Sequence, residues 1–86
     1  MRKPTVHLNG TSRDSLIEQL SNAAQAIEAA IAAVCNAAPH PRDYYIQDGT
    51  PVLDIQAEHY DRVHRLLGVK TEIEEMLAHV LEQEPR

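Results

Sequence analysis

The sequence LIEQLSNAAQAIEAAIAAV, residues 16–34, is the strongest indication of the fold class. Its apolar residues recur at alternating spacings of four and three, from Leu16 and Leu20 to Ile27 and Val34. This period places them along one side of an α-helix. Alanine, which has the highest helix propensity, fills most of the second half. The stretch therefore predicts a long amphipathic helix that packs closely against another helix.

Signals on both sides delimit this helix. Thr11 or Ser12 can cap its N-terminus, because a hydroxyl can accept from a free backbone N–H of the first turn. Pro39-His40-Pro41 ends it, because proline lacks the N–H and disfavours helical geometry in the residue before it. We predict helix 1 over residues 11–38, after an extended segment over 1–10.

A second amphipathic pattern predicts helix 2 over residues 54–83. Asp54 is its candidate N-cap, and its apolar positions recur about every 3.5 residues, as in helices that pack along a seam. Gly68 interrupts the pattern and marks either a close crossing or a slight bend. The loop over 39–53 is long for a connection between helices. The predicted fold is all-α, an antiparallel two-helix hairpin with a long loop, in a single domain.

The length of the chain favours assembly. A chain of 86 residues buries a small core, and two helices share only one seam, so apolar side chains stay uncovered at its edges. Association of hairpins into a helical bundle covers such edges. The sequence predicts a homo-oligomer, a dimer or a larger assembly.

Composition excludes several classes of function. The chain has 8 Lys or Arg against 13 Asp or Glu, a net charge of -5, which argues against general binding of duplex DNA. It has no apolar run long enough for a membrane span or a signal peptide. Its one cysteine, Cys35, excludes an intrachain disulfide and fits the reducing cytoplasm, and we expect it to be a small buried side chain.

Catalysis and metal binding find little support. His59 and His64 are five residues apart and do not share a helix face, and no HExxH pair occurs. Cys35 lies among alanines without a neighbouring base. We predict no enzyme activity, no cofactor and no metal site.

Ordinary roles account for several side chains of helix 2. Glu58 with Arg62, and Asp61 with Arg65, lie four residues apart and can pair along the exposed side of the helix. Tyr60 lies in the apolar stripe, so a place in the core is one interpretation of it, and the sequence does not determine which tyrosine is buried.

Two segments carry groups suited to ligand binding. The first combines an amide, a glycine and two hydroxyls directly before a helix N-terminus, a natural anion site: Asn9, Gly10, Thr11 and Ser12. A well-capped helix alone would also explain it. The second combines a guanidinium for phosphate, a carboxylate for a sugar hydroxyl or base amine, and two rings for stacking: Arg42, Asp43, Tyr44 and Tyr45. The alternative is a loop that covers the bundle end with a local Arg–Asp pair.

In an antiparallel hairpin these two segments lie almost a helix length apart. One chain could not easily join them, whereas an antiparallel neighbour could. The sequence therefore predicts a composite pocket at a subunit interface, with Arg62, Arg65 or His59 nearby.

HLNGTS at 7–12, the alanine-rich helix, and PHPRDYY at 39–45 before a second helix resemble a family of small tailed-phage and prophage proteins. The resemblance spans His7 to Val80, and its two motifs are its most specific part. It implies a phage accessory protein, and one class of such proteins consists of small helical oligomers that counter host defence by sequestering nucleotide signals. The family's motif residues correspond to Asn9, Gly10, Thr11, Ser12, Arg42, Asp43, Tyr44 and Tyr45.

The leading hypothesis is a phage-encoded binding protein that captures a small anionic ligand, such as a cyclic or ADP-ribose-type nucleotide, without catalysis. The alternative is an acidic helical interaction module that masks a host or phage protein. A nucleotide hydrolase is a third, disfavoured hypothesis.

Overall fold

The computed structural model describes residues 1–44 and 52–84. It contains two α-helices, α1 over Arg13–Asn36 and α2 over Val52–Glu82, with a short 3-10 turn over Pro41–Asp43. These described residues include no β-strand. The predicted all-helical fold with two long helices is confirmed.

The two helices pack against each other in antiparallel fashion. At one end the Arg13 guanidinium donates to the carbonyls of Leu81 and Gln83, each at 3.0 Å, so the start of α1 meets the end of α2. Towards the other end, Val34 lines the same groove as Leu66. The chain is therefore a long hairpin, with extents of 60 × 20 × 17 Å.

Helix α1 is shorter than the predicted range 11–38. It begins at Arg13 because Ser12 is the N-cap, with extended backbone at φ -62 and ψ 155. It ends at Asn36, two residues before the predicted end. Pro39 has no N–H to offer to the carbonyl four residues earlier. That carbonyl, of Cys35, instead accepts from Ala38 at 3.2 Å, which closes the helix with a tighter turn.

Helix α2 is shifted from the predicted range 54–83. It begins at Val52, so Asp54 lies within the first turn rather than at the N-cap. An acidic side chain is favourable at either place because both face the positive end of the helix dipole, so the sequence signal does not separate them. At the other end, Gln83 leaves the helix, and its N–H donates to the Val80 carbonyl at 3.1 Å.

The core is small and lies at the seam and its ends. Among the described residues the buried apolar side chains are Val6, Ile55 and Val80, and α1 contributes half-buried side chains only. The expectation that Cys35 is buried is wrong, because Cys35 is exposed and lies beside the seam. Tyr60, for which the core was one interpretation, is 66% exposed and also lies beside the seam.

A strap formed by residues 4–6 covers the end of α2. The Gln83 side chain holds it through both ends of its amide: Oε1 accepts from the Val6 N–H at 2.7 Å, and Nε2 donates to the Pro4 carbonyl at 3.0 Å. Val6 is thereby buried to 6% exposure. The sequence pattern did not predict this contact, which joins residues at opposite ends of the chain.

Ion pairs lie along the outer side of α2. The two predicted pairs are confirmed, Arg62 with Glu58 at 4.0 Å and Arg65 with Asp61 at 3.0 Å. A third joins Lys70 to Glu74 at 3.8 Å. Since the two arginine pairs have side chains more than half exposed, they add little to stability.

Gly68 lies inside a continuous helix and faces open space. A Cβ at this position would meet no heavy atom within 4 Å beyond its own helix backbone and chain neighbours. A close crossing of α1 at Gly68 is therefore not the reason for the glycine.

We expect Gly68→Ala to stabilise the protein by about 0.4–1 kcal/mol, because alanine lowers the entropy of the unfolded chain and fits the helix. Urea unfolding followed by circular dichroism measures the change. The reverse substitution at the exposed helical Ala29 should destabilise by a similar amount. A loss of stability in Gly68→Ala would show that this face is covered.

We expect Gln83→Ala to destabilise the protein by about 1–2 kcal/mol, because the Val6 N–H and the Pro4 carbonyl each lose a hydrogen bond. Amide exchange at Val6 should accelerate in parallel. Gln56→Ala, on the exposed side of α2, is the matched control and should change stability by about 0.5 kcal/mol at most. Equal effects in the two variants would contradict the role of the strap.

Candidate functional site

The first predicted segment forms a turn at the start of α1. The Gly10 N–H donates to the His7 carbonyl at 3.2 Å, and Asn9, Gly10, Thr11 and Ser12 are all exposed. The His7 ring packs over the glycine, since a Cβ on Gly10 would lie 2.6 Å from its Nε2. A side chain at Gly10 would therefore displace this imidazole.

Ser12 caps α1 and keeps a free donor. Its Oγ accepts from the Ser15 N–H at 3.2 Å, and its carbonyl accepts from the Leu16 N–H at 2.9 Å. The hydroxyl hydrogen remains available, and the N–H groups of Arg13 and Asp14 precede the helical ladder. The segment is thus a well-capped helix start that also presents unused donors.

A cavity of about 500 Å³ opens beside this turn. Thr5, Val6, His7, Gln83 and Glu84 line it. Its Glu84 carboxylate disfavours an anion on that side, and the Gln83 amide is occupied by the strap. The groups that suit an anion are therefore those of the turn and of the α1 N-terminus.

The second predicted segment begins with a short capped turn. The His40 Nδ1 accepts from the Arg42 N–H at 3.1 Å, and the His40 carbonyl accepts from the Asp43 N–H at 3.0 Å. The Tyr44 N–H donates to the Pro41 carbonyl at 3.1 Å. Sequence reasoning missed this capping by His40, although a side-chain acceptor before Pro41 is a common start of a helical turn.

The turn presents its charged side chains to solvent. Arg42 and Asp43 are exposed, and Tyr44 is half-buried. The ion pairs of the described residues leave Arg42 out, so the alternative of a local Arg42–Asp43 pair is not observed. Tyr45 lies outside the described residues, as does the rest of the stretch 45–51 of the predicted loop.

One chain does not bring the two segments together. They flank opposite ends of α1, whose 24 residues span about 36 Å at the usual helical rise. The structure therefore agrees with the separation expected for a hairpin, and a pocket that uses both segments needs a second chain.

The three additional residues expected near this pocket do not lie together. Arg62 and Arg65 border a groove of about 450 Å³ with Val34. His59 borders a groove of about 230 Å³ with Cys35. Val34 and Cys35 are successive residues of α1, and successive side chains point about 100° apart around a helix. The two grooves therefore lie on different sides of α1. At most one side can therefore face any given pocket.

Arg13 and Gln83 organise the end of the hairpin that carries the first segment, and sequence reasoning missed both. The position of Arg13 in the sequence was a signal that could have indicated its contact with α2. Arg13 begins α1, where the helix dipole disfavours a cation, and its guanidinium instead binds the C-terminal carbonyls of α2, where a cation is favoured.

No family model, curated protein or solved structure matches the chain. Within 1–44 and 52–84, no cluster of three or more His, Cys, Asp or Glu side chains is placed to hold a metal ion. Neither helix in the described part of the chain is long and apolar enough to cross a bilayer.

We expect Ser12→Ala to destabilise the protein by about 0.5–2 kcal/mol, because the Ser15 N–H loses its acceptor. Thr11→Ala is the matched control, since the adjacent Thr11 is exposed and is not the N-cap, and should change stability by about 0.5 kcal/mol at most. Thermal unfolding followed by circular dichroism compares the two variants. A larger loss in Thr11→Ala would place the cap one residue earlier.

Proposed function

We propose that the chain is a non-catalytic phage accessory protein that counters host defence in the host cytoplasm. It sequesters a small anionic ligand of nucleotide type in a pocket between subunits of a homo-oligomer. The observation that carries the proposal is the pair of exposed, polar segments at opposite ends of one hairpin, one rich in donors and the other presenting Arg42.

Each segment supplies a different part of the recognition. The hydroxyls of Thr11 and Ser12, with the first N–H groups of α1, hold a phosphate. Arg42 neutralises it through a charge-assisted, bidentate contact. Tyr44 or Tyr45 stacks on a base.

The remaining groups of the two segments fit the same role. Asp43 accepts from a sugar hydroxyl or a base amine, and Asn9 offers an amide beside the phosphate. Gly10 leaves room for the His7 ring to pack over the turn. Donors, a cation and stacking rings serve binding, so the proposal is sequestration and not turnover. The resemblance of HLNGTS and PHPRDYY to phage proteins supports it.

A second candidate function is an acidic interaction module that masks a host or phage protein. The observation that favours it is the exposed apolar surface of α2, which includes Leu53 at 77% and Leu67 at 42% exposure. Such a surface is available to a partner protein as well as to another copy.

The test is the melting temperature of the protein with a panel of mono-, di- and cyclic nucleotides. A ligand at 100 times its Kd adds about 2.7 kcal/mol of stability, which corresponds to a rise of roughly 10–20 °C for a chain of this size. We expect Arg42→Ala to abolish the rise while helix content stays unchanged, because Arg42 is exposed and its side chain supports no described contact.

Arg65→Ala is the matched control for this test. Arg65 is also an exposed arginine, but it lies on α2 and pairs with Asp61. Arg65 lies near the middle of α2, away from the ends of the hairpin that carry the two segments, so nucleotide capture predicts that Arg65→Ala keeps the melting response that Arg42→Ala loses. A masking module predicts no response to any nucleotide, and loss of partner binding in Arg65→Ala but not in Arg42→Ala.

A further inference from the structure

Large apolar side chains line the flank of α2 beside its seam with α1. Leu53, Tyr60, Leu67 and Leu81 are 77%, 66%, 42% and 49% exposed. They follow one another at multiples of seven residues, and Glu74 occupies the remaining position of the series. A seven-residue repeat aligns side chains on one side of a helix that supercoils with another helix. We call these five residues the heptad face.

The chain has more surface than a compact protein of its size. Its accessible surface is 6487 Å², whereas a compact monomer of this mass exposes about 5,100 Å². Its radius of gyration is 18.7 Å, against about 12 Å for a compact domain. The excess of roughly 1,400 Å² is larger than the ~800 Å² that each partner buries in a standard interface. The hairpin can therefore supply a stable interface without losing its own seam.

The heptad face is complementary to itself. In two antiparallel copies related by a two-fold axis at Leu67, Leu53 comes level with Leu81 of the second copy, and Leu67 meets its own counterpart. Tyr60 comes level with Glu74. The phenol can donate to that carboxylate, which is exposed and only loosely paired with Lys70 at 3.8 Å.

A parallel arrangement of the same faces is less favourable. It would place Glu74 level with Glu74 and leave both carboxylates in like-charge contact, while each Tyr60 hydroxyl would meet another tyrosine. The antiparallel arrangement instead pairs every apolar position with an apolar one and the single acid with the single hydroxyl.

We infer that the heptad face is a two-fold contact between antiparallel copies of this chain, centred on Leu67. Because the copies run in opposite directions, the Arg42 end of one hairpin comes to the same end of the assembly as the Asn9–Ser12 turn of the other. The composite pocket rests on the proposed function, whereas the contact itself does not.

Disulfide cross-linking tests the contact without a ligand. In a Cys35→Ser background, Leu67→Cys lies on the axis, and under mild oxidation it should cross-link most of the protein to twice the chain mass. Glu72→Cys, an exposed position of α2 outside the heptad face, is the matched control and should remain uncross-linked. Circular dichroism verifies that both variants are folded.

Two further cysteines determine the direction of the chains. Leu53→Cys and Leu81→Cys should each fail to cross-link alone and should cross-link when mixed. Cross-linking of Leu53→Cys with itself would indicate parallel chains and overturn the proposal. Equal cross-linking of Leu67→Cys and Glu72→Cys in folded protein would also overturn it.

Solution mass provides a measurement without cysteines. Leu67→Lys places two like charges on the axis and should halve the mass measured by analytical ultracentrifugation. An unchanged mass overturns the contact, as does a wild-type chain that is already monomeric. Cross-linking that persists when no nucleotide raises the melting temperature would contradict the proposed function and leave the contact standing.

Discussion

Two helices can share only one seam, and this constraint governs the rest of the structure. Each helix buries a single stripe against the other, so the residues beside that stripe stay accessible. Even within the seam, α1 has no fully buried side chain among its residues. The hairpin therefore depends less on a central core than on the contacts at its ends.

At the end where the chain begins and α2 stops, polar contacts supplement the small core. The Gln83 side chain accepts from the Val6 N–H and donates to the Pro4 carbonyl of the strap, and Arg13 donates to the last carbonyls at the end of α2. These bonds satisfy groups that a helix end leaves without a partner. They also hold the Asn9–Ser12 turn in place, so the same contacts that stabilise the hairpin orient the donors of the candidate site.

The candidate site was only partly predictable from sequence. The capped start of α1 follows from local chemistry, because Ser12 contacts residues three and four positions away. The exposure of Arg42 follows equally from its place in a proline-flanked turn. The sequence named Arg62, Arg65 or His59 as neighbours of the pocket and did not separate them, whereas the structure places His59 in a different groove from the two arginines. Whether a second chain joins the two segments depends on contacts that no single chain contains.

Local sequence was enough to predict the two helices, the proline residues that end the first one and the ion pairs four residues apart, because these depend on backbone preferences and on neighbours within a turn or two. Which apolar residues the seam covers depends instead on how the two helices pack. Tyr60 and Leu67 belong to the same periodic pattern as Ile73, yet they lie outside the contact. The reason is that an amphipathic stripe can be wider than the surface one partner helix can cover. The contacts of Gln83 with Val6 and Arg13 likewise depend on packing, since residues so far apart in the chain meet only after the hairpin has closed.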